Sequence, residues 1–305
     1  MFASKNASDE EEASPGLSSG YCTIETVETS NGKKVLLDSM HIDLPEGTMT
    51  AILGPSGAGK TTIMNVLTDN VESNVRAVGE VSLPGPAAFV PQDDRLHGFF
   101  TSKSYLEHYS RLAGKTPNPQ EIDNLLQDMG LTDQANTIVG DLFLKGLSGG
   151  QKRRLSIALE ALTGPKNFFL DEPTSGLDAE SALQVMEFLK DYARAAPGRR
   201  VILTIHQPSS FIWSLVDRVV LLSKGKLMYQ GPRGGMEDFF AFAGHPTPPQ
   251  YNPADHYVTS VNDEFRHHAM SVEDWAEKYN EFTKKNLAHS TKRTNSMLAA
   301  ARKPE

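Results

Sequence analysis

Apolar positions along this chain fall into short unbroken runs, separated by stretches in which they recur at helical spacing. Met49-Thr50-Ala51-Ile52-Leu53, Phe168-Phe169-Leu170, Val201-Ile202-Leu203-Thr204-Ile205 and Val219-Val220-Leu221-Leu222 are too short for helices and lack polar alternation. That is the pattern of strands buried on both faces. Between the second and third runs, Leu183, Met186, Leu189 and Ala193 line one face of a helix. A largely helical block extends from about Ser102 to Gly164, broken by Gly114 and Pro117-Asn118-Pro119. Gly79-Glu80-Val81-Ser82-Leu83 followed by Ala88-Phe89-Val90 reads as a hairpin-like region. Lys224-Gly225-Lys226 reads as a turn into Leu227-Met228-Tyr229. Short apolar strands alternating with helices predict an α/β fold with a mainly parallel central sheet covered on both faces. The helical block interrupts that alternation as an inserted subdomain, about residues 96–164.

Composition narrows the class. With 305 residues, 39% of them hydrophobic, the chain is long and apolar enough for a sizeable core. A net charge of −8 supplies no blanket basic surface and argues against nucleic acid as a partner. The single cysteine, Cys22, forms no internal disulfide and fits a reducing compartment. No apolar run reaches the roughly 18 residues needed to span a bilayer. Residues 1–20, with Asp9-Glu10-Glu11-Glu12 among Ser and Ala, read as an acidic disordered tail and not a secretory signal. At the other end Lys284, Lys285, Lys292, Arg293, Arg302 and Lys303 stand among small polar residues. They read as a solvated tail, with attraction to an anionic membrane face as the alternative.

Chemistry enters with Gly54-Pro55-Ser56-Gly57-Ala58-Gly59-Lys60-Thr61, a full match to G-x-x-x-x-G-K-[ST] between a strand and a helix. Glycines let backbone N–H groups turn inward around phosphate oxygens, and the helix N-terminus adds its positive dipole end. Lys60 supplies a point charge for the β- and γ-phosphates, and Thr61 a hydroxyl for Mg²⁺. Phe168-Phe169-Leu170 ends in Asp171-Glu172 at the carboxyl edge of the sheet, where ligands bind. Asp171 would support Mg²⁺, and Glu172 would orient and deprotonate an attacking water. Leu147-Ser148-Gly149-Gly150-Gln151 precedes a helix with Leu155, Ala158, Leu159 and Leu162 on one face. It offers a second anion site at a helix N-terminus, or, more plainly, an N-cap serine followed by glycines.

Taken together and in this order, these motifs resemble the ATP-binding cassette (ABC) family over about residues 23–260. Gln92, in Val90-Pro91-Gln92-Asp93-Asp94, matches the Q-loop glutamine, which links Mg²⁺ and water to a transmembrane partner. Leu147–Gln151 match the LSGGQ element, Asp171-Glu172 the Walker B pair, Ser175-Gly176-Leu177-Asp178 the D-loop, and His206 the switch histidine that contacts the γ-phosphate. Thr204-Ile205-His206-Gln207-Pro208-Ser209, Lys224–Pro232 and Tyr251-Asn252-Pro253-Ala254-Asp255 resemble the G-type subfamily, although Gln151 stands where that subfamily more often has Glu. No Phe, Tyr or Trp lies between Thr23 and Leu53 to stack on adenine, which leaves Val27 or Val35 for aliphatic contact.

The resemblance implies a P-loop NTPase with a β-rich N-terminal part and an inserted α-helical subdomain, the ABC ATPase fold. It implies that two cassettes, identical or different, pair head to tail around two Mg-ATP. Each ATP would meet residues 54–61, Thr62, Gln92, Asp171, Glu172 and His206 of one protomer, and Ser148, Gly149 and Gly150 of the other, with Asp178 close by. Hydrolysis would drive a transmembrane domain, expected outside this chain, at the cytosolic face of a membrane and in the direction of export. The division expected is residues 1–20 as tail, 21–260 as ATP-binding domain and 261–305 as a helical, basic linker. Two other readings stand beside this. A soluble ABC ATPase of translation usually carries two cassettes, and one of chromosome maintenance a long coiled coil for which Lys60 to Asp171 leaves no room. A non-hydrolysing regulatory cassette would not need Lys60, Glu172 and His206 together.

Overall fold

The computed structural model describes residues 20–141, 143–263 and 270–301, with the side chains of the last helix given as far as Asn286. The acidic segment through residue 19, Arg302 and Lys303, and the side chains of Lys292 and Arg293 lie outside that description.

The N-terminal part is an antiparallel sheet. β1 (Tyr21–Thr29) pairs with β2 (Val35–Leu37) and β3 (Met40–Asp43), and it also carries β5 (Val75–Ser82). Between them, β4 (Met49–Leu53) runs into the phosphate loop and α1 (Lys60–Leu67). The central sheet has six strands. In spatial order these are β10 (Lys226–Pro232), β9 (Arg218–Ser223), β4, β8 (Arg200–Thr204), β7 (Asn167–Leu170) and β6 (Ala87–Val90). All neighbours are parallel except the β9–β10 hairpin. The mainly parallel sheet, the β-rich N-terminal part and the inserted helices are borne out.

The hairpin-like reading of residues 79–90 is not. β5 joins the N-terminal sheet and β6 the edge of the central one. Pro84 and Pro86 have no N–H to give to a ladder, and the carbonyls of Leu83, Pro84 and Gly85 are taken instead by the Asn167 amide at 3.2, 3.3 and 3.2 Å. At the crossing a side chain meets these carbonyls, while that of Pro86 accepts from the backbone N–H groups of Lys166 and Asn167 at 2.9 and 3.0 Å.

Successive side chains of a strand point to opposite faces, so each central strand feeds two cores. Met49, Ala51 and Leu53 join Phe168, Leu170, Val201, Leu203, Val219 and Leu221 on one face. Ile52, Phe169, Ile202, Val220 and Leu222 pack on the other, against α1 and the N-terminal sheet. Complete burial of such Leu, Ile and Val side chains contributes about 1.5–3 kcal/mol each, which outweighs strand propensity.

The first of these cores also receives the inserted helices α2 (Ser102–Leu112), α3 (Pro119–Asp128) and α4 (Gly149–Leu162), and α5 (Ala179–Arg194), which crosses from β7 to β8. Caps fix their starts: Thr101 with Ser104, Asn118 ahead of Pro119, Ser148 with Gln151, and Asp178 on Ser181. After β8 come α6 (Ser210–Leu215), then α7 (Gly235–Phe242), α8 (Pro253–Ser260) and α9 (Val272–Ala301). α9 begins inside the same core: Val272 and Trp275 are buried, and the Tyr279 hydroxyl donates to the Gln230 carbonyl at 2.9 Å.

Candidate functional site

The phosphate loop is shaped by contacts only glycine tolerates. At Gly54, with φ +153°, an added Cβ would stand 2.3 Å from the Leu222 carbonyl oxygen of β9. At Gly59, φ +103°, it would stand 2.6 Å from Leu37 Cδ2. The β9–β10 turn presses on the loop from outside, with Gly225 N–H donating to the Ala58 carbonyl at 3.0 Å. Lys60 arches back across the loop and donates to the carbonyls of Gly54 at 2.8 Å and Pro55 at 3.0 Å. Burial holds its ammonium below the ordinary lysine value, while the charges of Glu172 and Asp171 pull it up.

Above the loop lies a cavity of about 910 Å³. It is lined by Ser56, Gly57, Gly59, Lys60, Thr61 and Thr62 of the loop and α1, by Glu172 and His206 just past the ends of β7 and β8, and by Lys34, Val35, Leu36 and Lys224. Val35 is exposed there, whereas Val27 is fully buried in the N-terminal sheet, so only Val35 of the two can offer aliphatic contact in the cavity.

The strand ends β7 and β8 meet through one hydroxyl. Thr204, fully buried, donates from Oγ1 to Asp171 Oδ1 at 2.5 Å and accepts from the Glu172 N–H at 2.8 Å. Glu172 itself sits at φ +48°, a left-handed conformation costly for a residue with a Cβ, and such strain collects at functional sites. Its Oε2 accepts from Gln92 Nε2 at 3.2 Å. Gln207, next to His206, is also left-handed at φ +49°. Asn252 steadies that loop by capping α8 through its oxygen and donating from Nδ2 to the Pro208 carbonyl at 2.8 Å.

Lys60, Thr61, Thr62, Gln92, Glu172 and His206 are thus brought together, with Asp171 buried directly behind Glu172. Ser148, Gly149, Gly150 and Asp178 are not among the residues lining this cavity. Ser148 caps α4 through a reciprocal pair with Gln151, at 3.2 and 2.8 Å. Gly150 packs against Leu177, where a Cβ would stand 3.1 Å from Cδ2. Asp178 caps α5, accepting from Ser181 N–H at 2.9 Å, a bond that holds its carboxylate below the usual range.

The donor set suits a triphosphate and its metal. A glycine cradle excludes Cβ atoms at the loop, and Thr61, Gln92 and Asp171 supply oxygens, the hard donors Mg²⁺ prefers. Among the described residues no group of three or more His, Cys, Asp or Glu could hold an ion. Arg153 escapes a reading by motif, and although Thr204 and Asn252 stand in stretches that carry the resemblance, the bonds they make were not legible there. Their signals are faint: a polar residue ending an apolar strand, an arginine on the inner side of α4, and an Asn-Pro helix start.

A family model described as "ABC transporter" matches residues 37–175, and one described as "ABC-2 type transporter" matches residues 206–278. ABC transporter G family member 11 of Arabidopsis thaliana is 42% identical over 232 residues, covering 72% of this chain and 33% of that protein. ABC transporter G family member 1 of Petunia hybrida is 38% identical, covering 77% and 39%. The ABC transporter ATP-binding protein/permease wht-1 of Caenorhabditis elegans is 41% identical, covering 70% and 34%. The chain therefore spans about a third of the length of the curated relatives it matches. The second family match corrects the expectation that every membrane-transporter segment lies outside this chain. Its residues hold α6, β9, β10, α7, α8 and the start of α9, and among the described residues no helix is long and apolar enough to cross a membrane.

Proposed function

The chain belongs to the ABC transporter family, as an ATP-binding cassette of the G type, and on that premise we propose that it hydrolyses Mg-ATP to power transport across a membrane. One observation carries the reading most directly. Glu172, which lines the same cavity as Lys60 and Thr61, accepts a hydrogen bond from Gln92 at 3.2 Å.

In this reading the loop N–H groups and Lys60 bind the phosphates, and the Lys60 charge stabilises the negative charge that develops on the transferred group. Glu172 accepts the proton of the attacking water, and Gln92 holds that carboxylate in place. His206 meets the γ-phosphate from the end of β8. When bound, Mg²⁺ would supply charge neutralisation at the β- and γ-phosphates, held by Thr61, Asp171 and Gln92. Ser148, Gly149 and Gly150, which do not line this cavity, would serve the ATP of a second cassette, with Asp178 close by. ATP then joins two cassettes, and its hydrolysis removes the charge that holds them closed. The cassette pair would work at the cytosolic face of a membrane, with transmembrane segments as the driven partner and export as the direction.

Glu172→Gln keeps the shape of the side chain and removes its proton-accepting charge. ATP binding is expected to persist, turnover to fall by about 10²-fold or more, and an ATP-dependent dimer to accumulate on size-exclusion chromatography. Turnover equal to that of the wild type would sink the role given to Glu172.

A further inference from the structure

The strand ladder between β6 and β7 ends at a bond from Asp171 N–H to the Val90 carbonyl, 2.9 Å long. Beyond that bond the two segments, Pro91-Gln92 and Asp171-Glu172, are bridged by Arg153 of α4. Its side chain is only 3% exposed, and its terminal nitrogens reach both segments. Nη2 donates to the Asp171 carbonyl at 2.5 Å. Nη1 donates to the carbonyl of Pro91, to that of Gln92 at 3.3 Å and to Asp94 Oδ1 at 3.1 Å. The next contact outward is the Gln92–Glu172 side-chain bond itself.

We propose that Arg153 is a positioning residue that clamps the Gln92 segment to the Asp171-Glu172 strand end, and so holds Gln92 in register with Glu172 for hydrolysis. This rests on the reading of Glu172 and Gln92 given above. A buried guanidinium is costly unless hydrogen-bonded, and here the partners are mostly backbone carbonyls of the two segments that carry the reacting pair. One carboxylate, Asp94, supplies the counter-charge. The planar fork spans both segments at once, which a lysine ammonium cannot do. Because Arg153 sits four residues along from Gly149, on the helix that Ser148 caps, a shift of α4 would move the clamp with it.

The test uses the purified wild-type protein and its Arg153→Met, Arg153→Lys and Asp94→Asn variants. Three quantities are read: steady-state ATP hydrolysis, binding of a non-hydrolysable ATP analogue, and amide exchange over residues 92–95. For Arg153→Met, kcat is expected to fall about 10- to 100-fold, the cost of misplacing a reacting group by roughly 1 Å. Analogue affinity should stay within about twofold, because the phosphate loop is untouched. Exchange at residues 92–95 should quicken. Arg153→Lys, the safer variant for folding, should recover only part of kcat. Asp94→Asn, which removes the counter-charge and leaves the three carbonyl contacts, should lower kcat less than Arg153→Met does, and a loss as large would overturn the clamp.

Unchanged kcat in Arg153→Met, full recovery by Arg153→Lys, or parallel losses of affinity and kcat would each overturn the clamp. A wild-type protein that does not hydrolyse ATP would overturn the proposed function instead, and amide exchange in the same variants would still decide whether the clamp exists.

Discussion

Replacing Thr204 by valine removes one hydroxyl and almost nothing else. Valine keeps the branched shape, so no cavity opens where the side chain is fully buried. What is lost is the link between Asp171 Oδ1, at 2.5 Å, and the Glu172 N–H, at 2.8 Å. A hydrogen bond to a charged group contributes about 1.5–3 kcal/mol, and a stranded buried N–H costs about 1–3 kcal/mol. Glu172 is only half-buried, so water can partly serve its N–H and the lower end applies there. The sum is roughly 2.5–4 kcal/mol, or a fall in Tm of roughly 5–15 °C for a domain of this size. Thr204→Ser keeps the hydroxyl, loses a methyl group and should cost about 1 kcal/mol. Thermal unfolding of the two variants separates the effects, and ATP turnover reports whether Glu172, already at φ +48°, keeps its orientation with one tether gone. A Thr204→Val protein as stable as Thr204→Ser would refute the argument that this hydroxyl joins the two strand ends.

Burial raises the Glu160 carboxyl above 4.5, against the opposing pull of the Tyr109 hydroxyl, which donates to Oε1 at 2.6 Å. The folded state therefore holds the proton more tightly, and the stability linked to it is full below pH 4.5 and lost as pH rises. Glu160→Gln keeps an acceptor for Tyr109 and should raise Tm more at pH 8 than at pH 5; equal shifts at both values would contradict this. Burial also lifts the Cys22 thiol from 9.0 to about 12. The native protein at pH 8 should react with a disulfide reagent only at the rate at which β1 opens, and immediate labelling would show that face to be accessible.

The strands, the inserted helices and the phosphate loop were legible because each rests on a local regularity: an unbroken apolar run, a helical period, a glycine-lysine spacing. The crossing at Pro84-Gly85-Pro86 was not, since its carbonyls are met by Asn167, distant in sequence. At the candidate site the motif residues could be named from order alone, but what holds them could not. Arg153 and Thr204 act by reaching across elements, and nothing in their own neighbourhoods along the chain marks which carbonyl or carboxylate they will meet. The placing of Val35 in the cavity lining and Val27 inside the N-terminal sheet likewise depends on which way each strand faces, fixed by pairing with β1 and not by residue type.

The phosphate-loop strand β4 lies between β8 and β9, both of which come far later in the chain. On a ribosome adding about 5–20 residues per second, β4 and its loop wait roughly 7–30 s for the roughly 150 residues that separate them from the start of β8. Throughout that interval an apolar strand stands with both edges unpaired, a template for pairing with other chains. The inserted helices, whose contacts are more local, can form meanwhile. The phosphate loop therefore hangs from a strand that gains its two sheet neighbours only after β8 and β9 have been made.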